Sequence, residues 1–287
     1  MSHEICVGAA GETITAEQVC LATQQPASVT VDGKALSRLR KESPKPGAFK
    51  AEEAEASTSS GDAARLAAEQ SNAALFCVLL RLVNGSSGVR PAAVEAIARL
   101  LNTSSASLPQ QHTDAATLSA LCAFLHGDAS AASARPEDAA AALGDPPPQV
   151  SAAERSQLQS GQPVSCAVLA LAIARLRGVL AASTAALAAT TEALRASTKA
   201  FDAKAVQAGF TPHAAAAAAE ALCYVEGSAL TNAKAKEGGA GEHPELFRVW
   251  LRFACPLLSR CMLLGHAPMV ACQRWASRSS TSAVSVP

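Results

Sequence analysis

Nine cysteines and six histidines are the residues of this 287-residue chain best suited to act as nucleophiles, bases or metal ligands. Cys6, Cys20, Cys77, Cys122, Cys166, Cys223, Cys255, Cys261 and Cys272 stand singly. No CxxC pair occurs, and no Cys/His group has the spacing of a zinc site. Most lie in apolar, helix-like surroundings, where a free thiol behaves as a small buried hydrophobe. With an odd number of them, the pattern reads as reduced thiols in an intracellular, cytoplasmic protein rather than a disulfide framework. The histidines are equally isolated. His3 and His243 sit in polar contexts, and His213 follows a proline at a helix start, where capping or solvation is the expected role. Tyr224, the single tyrosine, lies in an apolar helix and is expected in the core. The chain lacks a GxxxxGK[ST] phosphate loop, a GxGxxG turn, HExxH, GxSxG and an EF-hand loop. No catalytic set can be assembled from spacing, so neither a cofactor nor a metal is expected.

The elements that would position any site are mostly helices. Alanine, the best helix former, dominates the composition, and aromatic residues are only 3%. The 49% apolar fraction is therefore mostly small methyl groups that each bury little area. Lys+Arg and Asp+Glu balance at 24 each, which argues against a dedicated nucleic-acid binder or a basic membrane-surface protein. The N-terminus is neither basic nor long and apolar, so no secretory signal is expected. The longest apolar run, Val164 to Leu187, carries Arg175 and Arg177 near its middle. Two central arginines disfavour a bilayer span, so this run is expected to be a buried core helix.

Composition divides the chain into segments. Residues 1–40 form a small α+β element: Thr15 can cap a helix, Val29 to Val31 reads as a short strand, Asp32-Gly33 as a turn, and Lys34 to Lys41 as a charged helix. Residues 41–62 are a polar linker broken by Pro44, Pro46 and Gly47. Residues 63–125 are helical, stopped at Asn84-Gly85 and restarted at Pro91. Residues 126–150 read as a disordered linker ending in Pro146-Pro147-Pro148. Residues 151–230 are almost continuously helical, broken at Gly161-Gln162-Pro163 and Gly209 to Pro212. Residues 231–287 hold an amphipathic helix with Leu246, Val249, Trp250 and Phe253 on one face, then a Ser/Thr-rich tail.

Three stretches resemble one family, the histidine and phenylalanine ammonia-lyases. Gly11-Glu12-Thr13-Ile14-Thr15-Ala16-Glu17-Gln18-Val19 is similar to the family's G-x-L-T-x-x-x-V opening. Leu79-Leu80-Arg81-Leu82-Val83-Asn84-Gly85-Ser86-Ser87-Gly88-Val89-Arg90-Pro91, with Leu100-Leu101-Asn102, resembles its SGVRP and LLN motifs and is the most specific of the three. The third runs from Leu158-Gln159-Ser160-Gly161 to Ser228, and within it Thr191-Glu192-Ala193-Leu194 and Ala200-Phe201-Asp202 resemble the family's E-A-L and F-D pattern. The resemblance covers residues 10 to 230. It implies a mainly α fold like the N-terminal region of L-aspartase and ammonia-lyase enzymes, a small α+β element followed by a helical bundle, and here truncated. It also implies a tendency to form homo-oligomers.

The family's chemistry is not carried over. Its members build methylidene-imidazolone from an internal Ala-Ser-Gly. The aligned residues here are Asp114, Ala115 and Ala116, with neither the hydroxyl that is eliminated nor the glycine that permits the tight backbone. The family's loop tyrosine has no counterpart in residues 42–62. Its substrate-side asparagine aligns with Ser160, and its R-P-H-P-G-Q stretch with Gly209 to Ala214. No catalytic, cofactor-binding, substrate-binding or metal residue is therefore assigned. The expected function is that of an inactive relative serving as a structural or interaction partner. A protein partner or a second copy would be bound, without nucleic acid, membrane or metal, and the Leu246 to Phe253 helix is a candidate docking face. The alternatives are an active histidine or aromatic amino acid ammonia-lyase using other residues, or a gene fragment without function.

Overall fold

The chain opens with a parallel pair of strands, which needs a crossover rather than a hairpin. In a computed structural model, which describes residues 3–8, 14–23, 27–42, 68–85, 88–103, 114–128, 131, 136–144, 146–202, 206 and 212–231, β1 (His3–Val7) pairs with β2 (Ala27–Val31) in the register Ile5 opposite Val29. The crossover holds α1 (Ala16–Thr23). Thr15 starts it as the sequence suggests: the Gln18 backbone N–H donates to Thr15 Oγ1 at 3.3 Å, and the Thr15 N–H donates back to Gln18 Oε1 at 2.8 Å. The strand His3–Val7 was not expected. Its pairing is non-local, and Ile5 and Val7 face the core while Glu4 and Cys6 are exposed. α2 (Gly33–Glu42) follows β2.

The described residues fall into two compact units, one up to Ala172 and one from Ile173. The division lies inside a helix rather than at either polar stretch. In the first unit, α3 (Ala68–Asn84) is the centre. Every residue from Ala73 to Leu80 is buried, because α1, α2 and α4 (Pro91–Asn102) all pack on it. A helix enclosed on all sides cannot keep a polar stripe. Gly8, at φ +94°, lies against the same helix. A Cβ there would stand 2.4 Å from Val83 Cγ1 and 2.8 Å from Ala35 Cβ, so only glycine allows the end of β1 to approach.

α4 is tied to the sheet by Asn102, the last residue of the Leu100-Leu101-Asn102 motif. Its Oδ1 accepts from the Val29 N–H at 2.7 Å and its Nδ2 donates to the Val29 C=O at 2.8 Å. One amide side chain thus satisfies both backbone groups of a buried strand residue. On its other side α4 meets α6 (Pro136–Leu143). This helix lies within residues 126–150, which sequence composition assigned to a disordered linker, and the structure corrects that expectation. Ala139, Ala142 and Leu143 make a buried stripe at helical spacing, and Arg99 of α4 donates to the carbonyls of Ala142 and Leu143 at 2.9 and 3.2 Å. A cation there offsets the negative end of the helix. α5 (Asp114–Leu125) and α7 (Ala152–Leu158) complete the unit together with the start of α8 (Pro163–Ala193).

In the second unit, the remainder of α8, a 3-10 turn (Thr198–Phe201) and α9 (Pro212–Val225) enclose a core of Leu187, Phe201, Val206, Ala218 and Ala221. Ser228 donates from Oγ to Glu192 Oε1 at 2.6 Å, which ties the end of the third resembling stretch back to its Thr191–Leu194 part. Tyr224 is 55% exposed, not in the core as its apolar neighbours suggested. Tyr224 shares its face with the exposed Glu220 four residues earlier, and the buried stripe passes through Ala217, Ala218, Ala221 and Val225 instead. α8 also departs from expectation. It buries a stripe through Val164, Ala167, Ala170 and Leu171 but leaves Val168, Leu169 and Val179 exposed, so it is not the fully buried core helix that its composition suggested. By length and composition alone the stretch Ala152–Ala193 could cross a membrane, with Arg175 and Arg177 inside it. The C-terminal helix read from Leu246 to Phe253, the polar stretch 43–62 and the Ser/Thr-rich tail lie outside the described residues.

Replacing Asn102 by Leu leaves both Val29 backbone groups unpaired in a buried strand. The substitution is expected to lower unfolding stability by about 2 kcal/mol, read by urea denaturation.

Candidate functional site

Arg90, the arginine of the SGVRP stretch, immediately precedes α4 and does not cap it with its side chain. The guanidinium turns instead to Glu154 on α7. Arg90 Nε donates to Glu154 Oε1 at 2.9 Å, Nη2 to Oε2 at 2.9 Å, and the Arg90 backbone N–H to Oε1 at 2.8 Å. Arg90 Nη2 also donates to the Gln149 carbonyl. Glu154 closes a capping box on its own helix as well. The Ser151 N–H donates to Glu154 Oε2 at 2.9 Å and the Glu154 N–H to Ser151 Oγ at 3.2 Å. Burial pushes the Glu154 carboxyl up. The hydrogen bonds from the Arg90 side chain and from the Ser151 and Arg90 N–H groups, with the Arg90 charge, outweigh that and hold it below the usual carboxylate range.

Past α7 the chain turns through Ser160 and Gly161 into α8. Ser160, the residue aligned with a substrate-side asparagine, donates from Oγ to the Gln157 carbonyl at 2.7 Å and accepts from Arg81 Nη1 at 3.0 Å. Arg81 Nη2 donates to the Leu158 carbonyl at 2.9 Å. Gly161 has φ +94°, and a Cβ on it would stand 2.7 Å from Arg81 Nη1. Glycine is favoured there by the backbone, and the guanidinium of Arg81 packs over it. Asp114, the first residue of the aligned tripeptide position, is the first residue of α5. Its Oδ1 accepts from the Val164 N–H at 2.7 Å and its Oδ2 from Ser165 Oγ at 3.1 Å. The carboxylate of α5 thus caps α8 from outside, where free N–H groups and the helix dipole favour a negative charge. Ala115 and Ala116 continue as α-helix, and Ala115 is exposed. The stretch Ser160–Ser165 therefore gathers contacts from both aligned positions, Asp114 and Ser160, although no direct contact joins those two side chains.

Burial shapes three other groups able to do chemistry, Cys77, Cys122 and His126. Burial pushes the Cys122 thiol up to about 11, against a smaller opposite pull from Arg155 and then Arg81. Burial, and next the neighbouring Cys166, raise the Cys77 thiol still further. Both stay protonated at neutral pH, and a thiol is a poor nucleophile. The six described cysteines, Cys6, Cys20, Cys77, Cys122, Cys166 and Cys223, are all free. Burial, then the Arg155 charge, lowers the His126 imidazole below its usual range, with Glu154 pulling the other way. His126 Nε2 lies 3.1 Å from Arg155 Nη2, and a neutral ring with its hydrogen on Nδ1 accepts that bond. Sequence reasoning missed the Arg90–Glu154 hub and the placement of Arg81 and Arg155. The Ser151-x-x-Glu154 capping signal was readable, but the partners are far away in sequence.

Three outcomes follow from this geometry. Glu154→Gln is expected to lose about 2 kcal/mol of stability, below the range for a fully buried pair because the Arg90 side chain stays 29% exposed. Asp114→Ala is expected to lose about 1 kcal/mol, the worth of a helix cap, with Asp114→Asn retaining part of it. Stability should also fall with acid in two steps. His126 is depressed in the fold, so the unfolded chain takes up a proton first and stability declines as pH drops below about 6.5. Glu154 is also depressed, and its contribution goes as pH falls from about 4.3 downward. His126→Gln should remove the upper step and leave the lower one in a urea titration across pH.

The architecture and sequence have known counterparts. A family model described as aromatic amino acid lyase matches residues 49–245. The stretch Gly11 to Val19 lies outside that match. Among curated proteins no sequence matches. Among solved structures, phenylalanine ammonia-lyase from Rhodosporidium toruloides superposes with a TM-score of 0.66 at 17% identity, over 94% of this chain and 45% of that one. Pantoea agglomerans phenylalanine aminomutase superposes at 0.70 with 12% identity, over 94% and 62%. Histidine ammonia-lyase from Trypanosoma cruzi gives 0.58 and 19%, over 76% and 49%. Identities this low show a shared fold, and the chain spans 45–62% of the length of these enzymes. The family match extends over more than half of the sequence and includes Arg90, Asn102, Asp114, Glu154 and Ser160: the chain belongs to the aromatic amino acid lyase family.

Proposed function

We propose that this chain is a catalytically silent member of its family that serves as a structural or interaction subunit, associating with copies of itself or with another protein. The carrying observation is the use made of Asp114. The residues aligned with the prosthetic tripeptide do not fit methylidene-imidazolone. Asp114 is held by the Val164 N–H and the Ser165 hydroxyl, Ala115 offers no hydroxyl to eliminate, and Ala116 continues a regular helix. No reaction step is drawn through that group. Ser160 likewise serves the turn and Arg81 rather than standing free toward a substrate.

The association half of the reading rests on α8. Val168 and Leu169 are 39% and 38% exposed, and an apolar side chain left in water is stabilised by burial against a partner. The proposed setting is the cytoplasm, in keeping with the six free thiols. Zero formal charge speaks against nucleic acid as the partner.

Light scattering on the purified full chain tests the association. It is expected to report a species larger than one chain, and Val168→Glu with Leu169→Glu should shift it toward the monomer without loss of helical circular dichroism. A clean monomer in the unaltered protein would remove the basis for a subunit role.

A further inference from the structure

Two side chains tie α7 to its neighbours, and they answer to acid differently. Glu154 joins it to the start of α4, because Arg90 and the Ser151 N–H take up the carboxylate. Arg155, the next residue, joins it to the end of α5. Arg155 Nη2 lies 3.1 Å from Nε2 of His126, the residue immediately after that helix. This is the single hydrogen bond of the Arg155 side chain among the described residues, and its buried Nε has no partner there. A guanidinium donates and never accepts. The imidazole is therefore the acceptor, neutral and with its hydrogen on Nδ1.

One proton on Nε2 undoes the contact. An imidazolium has two N–H groups and no lone pair, so a hydrogen bond becomes two like charges 3.1 Å apart. Both residues are half-buried, where water screens such a pair incompletely. Arg155 cannot shed its own charge, so the contact itself has to open. The other groups around His126 do not offset this. Glu154 attracts the proton, but its oxygens are already engaged by Arg90 and Ser151. On the element of His126 itself, the buried Cys122 thiol is neutral and Asp128 is exposed. Arg81 of α3, whose charge reaches Cys122, is positive. The stretch 146–150, which lies against Gly127 through Pro147, has no ionisable side chain. The negative end of α5 favours a cation, and Arg155 already supplies one. That end does not need the ring: the N–H groups of His126, Gly127 and Asp128 donate to the carbonyls of Cys122, Phe124 and Ala123. α5 therefore stays closed when the ring turns away.

We infer that the His126–Arg155 contact is an acid-released latch: protonation of His126 parts α7 from the end of α5 and leaves α7 tied to α4 through Glu154. Both groups are depressed in the fold. The latch thus opens as pH falls below about 6.5, and the joint to α4 gives way only from about 4.3 downward. The device does not depend on the proposed subunit role.

Hydrogen exchange of the full chain, read by mass spectrometry at about pH 7.5 and about pH 5.5 with times scaled for the intrinsic rate, tests the latch. In acid, peptides from residues 152–160 are expected to exchange about fivefold faster, while those from 91–102 and 114–125 are unchanged. His126→Gln, whose amide oxygen accepts from Arg155 at either pH, should abolish the difference. In the unaltered chain, the ring signals of His126 in magnetic resonance should titrate over the same pH range as the exchange. No acid loosening of 152–160, equal loosening of 91–102, loosening that persists in His126→Gln, or a ring titration outside that range would overturn the inference.

Discussion

The Glu154 carboxylate is the point on which the first unit is assembled. It accepts hydrogen bonds from the Ser151 N–H, the Arg90 N–H and Nε and Nη2 of the Arg90 guanidinium. A buried carboxylate survives only when its charge and its lone pairs are both met, and here one residue meets most of them. The consequence is geometric. Arg90 precedes α4 directly, so α7 is locked to the start of α4. α4 in turn carries Asn102 to β2 and Arg99 to the end of α6. One ion pair thereby sets the frame in which the strands, α4, α6 and α7 find their places.

The same frame explains what has become of the positions where the family does its chemistry. The turn from α7 into α8 is held by Arg81 on one side and Asp114 on the other. Each contact stabilises a helix end or a tight turn. The motif residues that persist have identifiable mechanical tasks: Arg90 in the hub, Asn102 on the strand, Glu192 with Ser228, and Phe201 in the second core.

Local signals were the legible ones. Thr15 capping α1, Asn84-Gly85 ending α3 and Pro91 opening α4 are short-range rules, and the structure follows each. What escaped the sequence was non-local or hidden by alanine. β1 depends on a partner strand beyond a helix. Arg90 and Glu154 stand 64 residues apart. Tyr224 and α8 were misplaced because alanine-rich helices mark the outside with few polar residues, here Glu220 four before Tyr224 and Arg175 four before Val179. α6 was the avoidable miss. Glu137 and Asp138 in its first turn, Ala139, Ala142 and Leu143 as a stripe and Gly144 just beyond its end form a complete helix signature. Asp114 and Ser160 were read as departures from the family pattern, and their capping and turn-holding contacts could be seen only in three dimensions.

The central claim is that a lyase scaffold has been retained while its chemical positions serve the fold. Ammonia release from histidine, phenylalanine or tyrosine by the purified, folded full chain measures this directly. The account predicts no release above the rate without protein. Sustained release that scales with protein concentration would contradict it.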